Sequence, residues 1–113
     1  MLAVMNARDG KVITTLPIGD RVDAVAFDTD NKLIFASNGG GTMSVIRQKS
    51  PNQYESVGDI RTQPSAKTMA YDAKTKRLFL SAAEMESAPS TTGQGARMKP
   101  KPGSFTVLVV ERQ

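Results

Sequence analysis

The chain repeats a stretch of its own sequence after 44 residues, and this constrains its fold more than any other feature. The tetrapeptide at residues 25–28, Val-Ala-Phe-Asp, returns at residues 69–72 as Met-Ala-Tyr-Asp. In the same register Lys32 corresponds to Lys76, Ile34 to Leu78, Phe35 to Phe79 and Ser37 to Ser81. Each copy reads as a strand, a four-residue turn that begins with Asp, a second strand and a polar stop. The fold must therefore contain two copies of one supersecondary unit.

Turn-forming residues interrupt the chain at short intervals and exclude long helices. Asp9-Gly10, residues 28–31, residues 38–41 and Pro51-Asn52 each separate two apolar runs that are rich in β-branched residues. No window of a dozen residues keeps a helical period, because Pro, Gly or Asn interrupts each one. The pattern predicts an all-β fold, an antiparallel meander of hairpins, as a single domain over residues 1–113.

A second internal match indicates an insertion. Residues 41–46, Gly-Thr-Met-Ser-Val-Ile, resemble residues 103–108, Gly-Ser-Phe-Thr-Val-Leu, at an offset of 62 instead of 44. The difference predicts 18 extra residues between the second and third strands of the last unit, within an irregular loop over residues 84–102. A period in the low forties with four short strands is typical of a β-propeller blade.

The repeat resembles the YVTN type of β-propeller repeat. Residues 34–38, Ile-Phe-Ala-Ser-Asn, are similar to that family's Tyr-Val-Thr-Asn signature, and residues 39–46 stand where the family has a Gly-x-x-x-Val-x-Val-Ile strand. Residues 11–19 resemble its outer strand with a Pro-x-Gly exit. Outside residues 84–102 the resemblance covers nearly the whole chain, although Ala82 replaces the signature Asn in the second copy. It implies a propeller fold and leaves the function open, because such repeats serve binding, scaffolding and redox proteins.

With the strands of a blade named a to d from the channel outwards, the chain divides into three units. Residues 1–19 supply strands c and d, residues 20–63 a full blade, and residues 64–113 strands a, b and c with the inserted loop. Because closed propellers typically have four to eight blades, the chain is expected to form a partial, non-closed propeller. Its end strands are then uncovered apolar edges, which proteins normally protect.

Two explanations account for the uncovered edges. The first, which we favour, is a homo-oligomer in which another copy covers them. Its edge candidates are Leu2, Val4, Val107 and Val109. The second is that the chain is the C-terminal part of a longer propeller.

The composition excludes several classes of function. The chain has neither His nor Cys, which rules out disulfides, zinc fingers, His-ligated haem and a Ser-His-Asp triad within it. We expect no cofactor and no metal, and no apolar run approaches the roughly 20 residues of a membrane helix. The net charge of +4 comes from scattered basic residues with few aromatics beside them, a pattern that favours solubility over nucleic-acid binding.

The localisation depends on whether the chain is complete. Its N-terminus lacks the basic segment of a signal peptide. It is expected to be cytoplasmic if it is the full protein, and periplasmic or secreted if it is cut from a longer exported propeller. The absence of cysteine fits both cases.

Two turn motifs and the long loop are candidate sites. Residues 28–31, Asp-Thr-Asp-Asn, have the spacing of a partial calcium loop but lack its Gly and distant Glu, so an Asx turn is favoured. Residues 39–41 could offer glycine N–H groups to an anion, but no P-loop Lys follows them, so a tight turn is favoured. The ligand or partner candidates, the last three of them in the long loop, are Asp20, Arg21, Asn38, Gly39, Gly40, Gly41, Gln63, Arg97, Lys99 and Lys101.

These patterns predict a non-catalytic binding or scaffold module, with a protein or a small molecule as the partner of the loop at residues 84–102. The alternative is a fragment of a redox or hydrolytic propeller enzyme whose catalytic groups lie outside the chain. The matched repeat positions are expected to be buried between adjacent sheets: Val25, Phe27, Ile34, Phe35, Met69, Tyr71, Leu78 and Phe79.

Overall fold

The computed structural model describes residues 1–88 and 97–112, which contain eleven strands and no helix. The strands are β1 (Leu2–Met5), β2 (Val12–Leu16), β3 (Val22–Asp28), β4 (Leu33–Asn38), β5 (Thr42–Ser50), β6 (Gln53–Arg61), β7 (Met69–Asp72), β8 (Arg77–Ala82), β9 (Met85–Ala88), β10 (Arg97–Pro100) and β11 (Thr106–Val110). All pairs among them are antiparallel. The prediction of an all-β, antiparallel fold is confirmed.

The strands form four sheets, and within the described ranges none of them closes on itself. Strands β3, β4, β5 and β6 pair in chain order, β7, β8 and β11 form a three-stranded sheet, and β1–β2 and β9–β10 are separate hairpins. Short turns dictate the antiparallel pairing of strands that are consecutive in the chain, since a parallel pair needs a crossover of a dozen or more residues. The exception is the β8–β11 pair, whose strands are separated by residues 83–105. In the first hairpin, Gly10 has a φ of 72° and its N–H donates to the Asn6 carbonyl.

The sequence repeat is also a repeat of the backbone. Non-glycine residues with positive φ are uncommon, and four are found in the described part of the chain. Arg21 (60°) and Lys32 (58°) lie in the first unit, and Ser65 (79°) and Lys76 (60°) stand 44 residues later in the second. The turns before and after the first strand of each unit therefore have the same conformation.

The strand pairing corrects the predicted position of the third strand in the second unit. Phe35 pairs with Val45 in the four-stranded sheet, whereas the equivalent Phe79 pairs with Val109. The offset is therefore 64, and the predicted value of 62 is wrong, because β11 begins only after the turn at residues 101–104. The two-residue error is even, so it leaves each side chain on the predicted face of the sheet.

The insertion is more regular than predicted. Its two ends form β9 and β10, which pair from Met85–Pro100 to Ala88–Arg97. The prediction of an irregular loop over residues 84–102 is therefore wrong at both ends of that range. Residues 89–96, in its middle, lie outside the described part of the chain. Alternating exposure along β9 and full exposure of β10 show that this hairpin contributes little to the core.

The core lies between the four-stranded and the three-stranded sheets. The core face of the four-stranded sheet carries Leu33, Phe35, Met43 and Val45, and the inner face of the three-stranded sheet carries Leu78, Leu80, Leu108 and Val110. The Phe35 and Tyr71 rings meet across the interface with their centroids 6.1 Å apart. Burial of each large side chain contributes about 1.5–3 kcal/mol.

Only part of the predicted core is buried. Phe35 and Leu78 are buried as predicted, and Ile34, Met69 and Tyr71 are half-buried. The prediction is wrong for Val25, Phe27 and Phe79, which are exposed. These three side chains point away from the interface between the two large sheets. In the described part of the chain, no large sheet lies opposite the faces that carry them.

Candidate functional site

An apolar groove lies between the β1–β2 hairpin and the four-stranded sheet. We call it the hairpin groove, and its volume is about 580 Å³. Its floor is the groove face of the four-stranded sheet, which carries Val25, Phe27, Ile34 and Ala36. Residues 1–5 of the hairpin line the other side. None of the described residues that line it carries a charged side chain.

Alternating side chains and one close contact build the groove. Val25 and Phe27 lie on one face of β3 because side chains alternate along a strand, and the pairing sets them opposite Ala36 and Ile34. The hairpin is held at Gly19, whose N–H donates to Ser44 Oγ over 3.1 Å. A Cβ at Gly19 would lie 2.5 Å from Thr42 Oγ1, so the approach requires glycine.

Two open strand edges accompany the exposed apolar faces. Among the described strands, β1 pairs with β2 alone and β11 pairs with β8 alone. The predicted edge residues lie on these strands: Leu2 and Val4 are half-buried at the groove, and Val107 and Val109 are about half exposed, at 50% and 54%. Unpaired N–H and C=O groups on such an edge can pair with a further strand.

Several of the predicted ligand or partner residues come together at the end of the four-stranded sheet opposite the Asp28 turn. We call this group, from residues 20–21, 38–41 and 63, the loop cluster. The N–H of Gly39 donates to the Arg21 carbonyl over 2.9 Å, and the N–H of Gly40 donates to the Asp20 carbonyl over 3.3 Å. The N–H of Gly41 donates to the Asn38 carbonyl over 3.0 Å. Because all three glycine N–H groups have backbone partners, the tight-turn interpretation is supported over an anion cradle.

Asn38 and Gln63 take different places in this loop cluster. Asn38 is fully buried, and its amide group donates to Thr42 Oγ1 and Ser44 Oγ at 3.1 and 3.0 Å. Gln63 is half-buried, and its carbonyl accepts the N–H of Ala66. Asn38 therefore orders the interior of the cluster, while Asp20, Arg21 and Gly40 are exposed on its surface.

The basic candidates of the long loop lie on or beside β10. Arg97, Lys99 and Lys101 are all exposed. Lys99 and Lys101 form ion pairs with Glu86 and Glu84, each at 3.6 Å. Such exposed pairs contribute at most about 1 kcal/mol, and they partly neutralise the basic surface predicted for this loop.

No match was found among protein-family models, curated proteins or solved structures. The described residues also contain no helix long and apolar enough to cross a bilayer, and no group of three acidic, His or Cys side chains arranged to hold a metal ion.

The predicted Asx turn at residues 28–31 is present. The ammonium group of Lys76 contacts the carboxylates that a partial calcium loop would offer to its ion. Asp28 is 2% exposed, and its Oδ1 accepts the N–H groups of Asp30 and Asn31 at 3.0 and 3.2 Å. Lys76 Nζ lies 3.2 Å from Asp28 Oδ1 and 2.5 Å from Asp30 Oδ2. The second repeat unit thereby places a cation on the acidic turn of the first.

The titration of these groups follows from their contacts. Desolvation alone would raise the pKa of Asp28, but hydrogen bonds from Asn31, Lys76 and the backbone outweigh it and hold the pKa well below its usual range. The hydrogen bond to Asp30, together with the charge of Asp28, raises the pKa of Lys76. Desolvation, and then the negative charge of Asp28, raises the pKa of Tyr71 beside them.

Sequence reasoning missed the hairpin groove and the Lys76 ion pair. A signal for the groove was present, because residues 1–19 supply only two strands opposite a four-stranded neighbour, which leaves two strand positions empty. A signal for the ion pair was present too, since Lys32 and Lys76 match in the repeat beside a turn that starts with Asp. The signal for the ion pair does not say which of the two repeat units the lysine contacts.

Proposed function

We propose that the chain is a non-catalytic binding or scaffold module built from propeller-type repeats, and that it self-associates. One observation carries the proposal. The two large sheets pack through one apolar interface. Their outer faces, with Val25 and Phe27 on the four-stranded sheet and Phe79 and Val109 on the three-stranded sheet, stay exposed. Exposed apolar faces of this kind mark interaction sites.

Three features support the propeller-type assignment. The four strands of the complete unit pair in chain order, as the strands of a blade do. The next unit begins with the same order, β7 then β8, and takes its third strand β11 from beyond the insertion. The two units pack face to face and share their positive-φ positions and Asx turns. Each unit contacts its sequence neighbour, as in repeat proteins.

The hairpin groove supports a binding role. Its volume of about 580 Å³ falls within the range of about 300–1,000 Å³ that is usual for ligand sites. Its lining is apolar, and the open edge of β1 beside it offers backbone hydrogen bonds to an added strand. An apolar, extended protein segment combines both requirements, which favours a protein over a charged small molecule as the occupant.

The oligomeric mass in solution tests the proposal. Light scattering coupled to size exclusion at micromolar concentration should give a multiple of the 12.1 kDa chain mass. A single species near 12.1 kDa at every concentration would contradict self-association. The exposed end faces would then favour the alternative, a piece of a larger propeller enzyme whose further blades cover them. Binding of metal, haem or substrate by the longer protein would support that alternative.

A further inference from the structure

The interface inside the chain serves as a template for a contact between chains. The core face of the four-stranded sheet, with Phe35 and Val45, packs on the inner face of the three-stranded sheet, with Leu78 and Leu80. The strand register makes Phe79 and Val109 the equivalents of Phe35 and Val45. It likewise makes Ile34 and Ala36 the equivalents of Leu78 and Leu80. Each molecule therefore carries both halves of this interface a second time. Phe79 and Val109 are exposed, and Val25 and Phe27 are exposed beside the half-buried Ile34 and the buried Ala36 in the hairpin groove.

We propose that copies of this chain associate head to tail, with the end face of one copy seated in the hairpin groove of the next. The end face is the exposed side of the three-stranded sheet, which carries Ala70, Phe79, Val107 and Val109. The proposal rests on the self-association proposed above and specifies its surfaces. It differs from pairing of edge strands about a two-fold axis, in which the same strand would contact itself.

Charge complementarity supports this occupant. Inside the chain, Lys76 of the second unit reaches Asp28 of the first. The repeat sets Lys32 at the position of Lys76, with φ values of 58° and 60°, and Asp72 at the position of Asp28. Asp72 forms the same Asx turn, since its Oδ1 accepts the N–H of Lys74 at 3.0 Å. Head-to-tail docking brings Asp72 of the incoming copy to Lys32 of the copy that holds the groove, and so repeats the internal ion pair.

Lys74 opposes this contact. It is the equivalent, in the second unit, of Asp30, which is the second acceptor of the Lys76 ammonium group inside the chain. The contact between copies therefore lacks one of the two carboxylates of the internal contact and adds a positive charge. We expect it to be weaker than the internal interface, and Lys74 becomes the position at which it can be strengthened.

The hairpin groove opens above β3 and β4, which would receive β7 and β8 of the incoming copy. The incoming β11 then reaches the place of β1, so the hairpin moves outward by about one strand spacing, roughly 4.8 Å. No strand pairing joins the hairpin to the four-stranded sheet. The contact that holds it, from the Gly19 N–H to Ser44 Oγ, lies in the connection after β2, so the hairpin can turn about that point. After this movement, the open edges of β1 and of the incoming β11 face each other.

A charge exchange tests the proposal. Lys32→Glu and Asp72→Lys each place like charges at the contact, and each should weaken association by at least about tenfold. An equimolar mixture of the two variants should associate again with an affinity near that of the unchanged protein, since both contacts in an alternating assembly then join opposite charges. Recovery in the mixture also shows that each variant is folded.

Two further variants sharpen the test. Lys74→Asp restores the missing carboxylate and should tighten association severalfold. Arg61→Glu makes the same charge change as Lys32→Glu on an exposed residue of the outer strand β6, and it should leave the affinity unchanged. Sedimentation equilibrium over a concentration series measures all six samples: the unchanged protein, the four single variants and the mixture.

The outcomes separate this inference from the proposed function. If the protein associates but Lys32→Glu and Asp72→Lys leave the affinity unchanged, head-to-tail docking is overturned and self-association stands. If neither variant associates and the mixture does not recover, the inference is likewise overturned. If the unchanged protein is monomeric at all concentrations, the proposed self-association fails and the inference fails with it. Because heterologous contacts form rings or filaments, supporting data would include species larger than a dimer.

Discussion

Phe35 in the four-stranded sheet and Phe79 in the three-stranded sheet occupy the same position of the same repeat, yet they are 7% and 36% exposed. Their strands, their turns and their cross-strand valines are alike. The difference is that, among the described strands, another sheet lies opposite Phe35 and none lies opposite Phe79. In this protein the burial of a repeat position is therefore set by its neighbouring unit and not by its own strand.

The acidic turns extend this comparison to electrostatics. Asp28 and Asp72 both cap an Asx turn, but Asp28 is almost fully buried and contacts Lys76 of the following unit. Asp72 is half-buried, and its second oxygen accepts the hydroxyl of Thr75 at 2.6 Å. The same local motif thus becomes a link between units only where a second unit packs against it.

The largest expected effect separates the two phenylalanines. Phe35→Ala should destabilise the protein by about 3–5 kcal/mol, because it leaves a cavity in the core. Phe79→Ala should cost about 1 kcal/mol in the dissociated chain, since it removes a side chain that is already partly hydrated. Urea unfolding at low protein concentration measures both values. Equal losses would contradict the comparison, whereas a larger loss for Phe79→Ala at high concentration would show that association covers it.

The matched aspartates give the next effect. Asp28→Ala should cost about 1.5–3 kcal/mol, because it removes a buried charged acceptor of several hydrogen bonds. Asp72→Ala removes the same turn without the contact to a second unit and should cost about 0.5–1.5 kcal/mol. Thermal unfolding of both variants tests this order of stability losses. A larger loss for Asp72→Ala than for Asp28→Ala would contradict it.

The pH dependence of stability should follow the same ion pair. The lowered pKa of Asp28 stabilises the protein above the ordinary Asp value of about 3.9, and this contribution is lost as the pH falls further. The raised pKa of Lys76 stabilises it below about pH 10.4, and that contribution is lost as the pH rises further. We expect a stability plateau between about pH 5 and 9.

Asp28→Asn should flatten the acid side of this profile more than the matched variant Asp72→Asn. The pKa of Asp72 is also lowered, chiefly by the hydroxyl of Thr75, so its variant provides a control with the same sign. Urea midpoints at a series of pH values measure the slopes. An unchanged acid slope in Asp28→Asn would contradict the role given to this carboxylate.

The smallest effect concerns the insertion that distinguishes the second unit. Met85 and Pro100 are directly paired, so residues 86–99 can be replaced by Asn-Gly, which forms a two-residue hairpin turn. The free energy of unfolding should change by less than about 0.5 kcal/mol, because the pairing of β8 with β11 is retained. A loss above about 1 kcal/mol would mean that the insertion packs against the rest of the protein.

Local turn chemistry explains what could be predicted of the fold. Asp9-Gly10 marks the first hairpin, Asp28 and Asp72 mark the two Asx turns, and the antiparallel order follows from their short spacing. The offset of β11 could not be predicted correctly, because similar residues two positions apart satisfy the same alternation. Of the candidate site, the loop contacts of Arg21 and Gly39 were predictable from their positions between strands, whereas the hairpin groove was not.

The strands, the turns and the repeat can be read from the order of the amino acids, because strands and turns depend on backbone preferences and on hydrogen bonds between residues close in the chain. Three features depend on tertiary packing instead: Phe35 is buried while Phe79 is exposed, Lys76 binds Asp28, and an apolar groove lies beneath the first hairpin. Burial and ion pairing depend on which faces meet, so two copies of one motif are distinguished only by what packs against them.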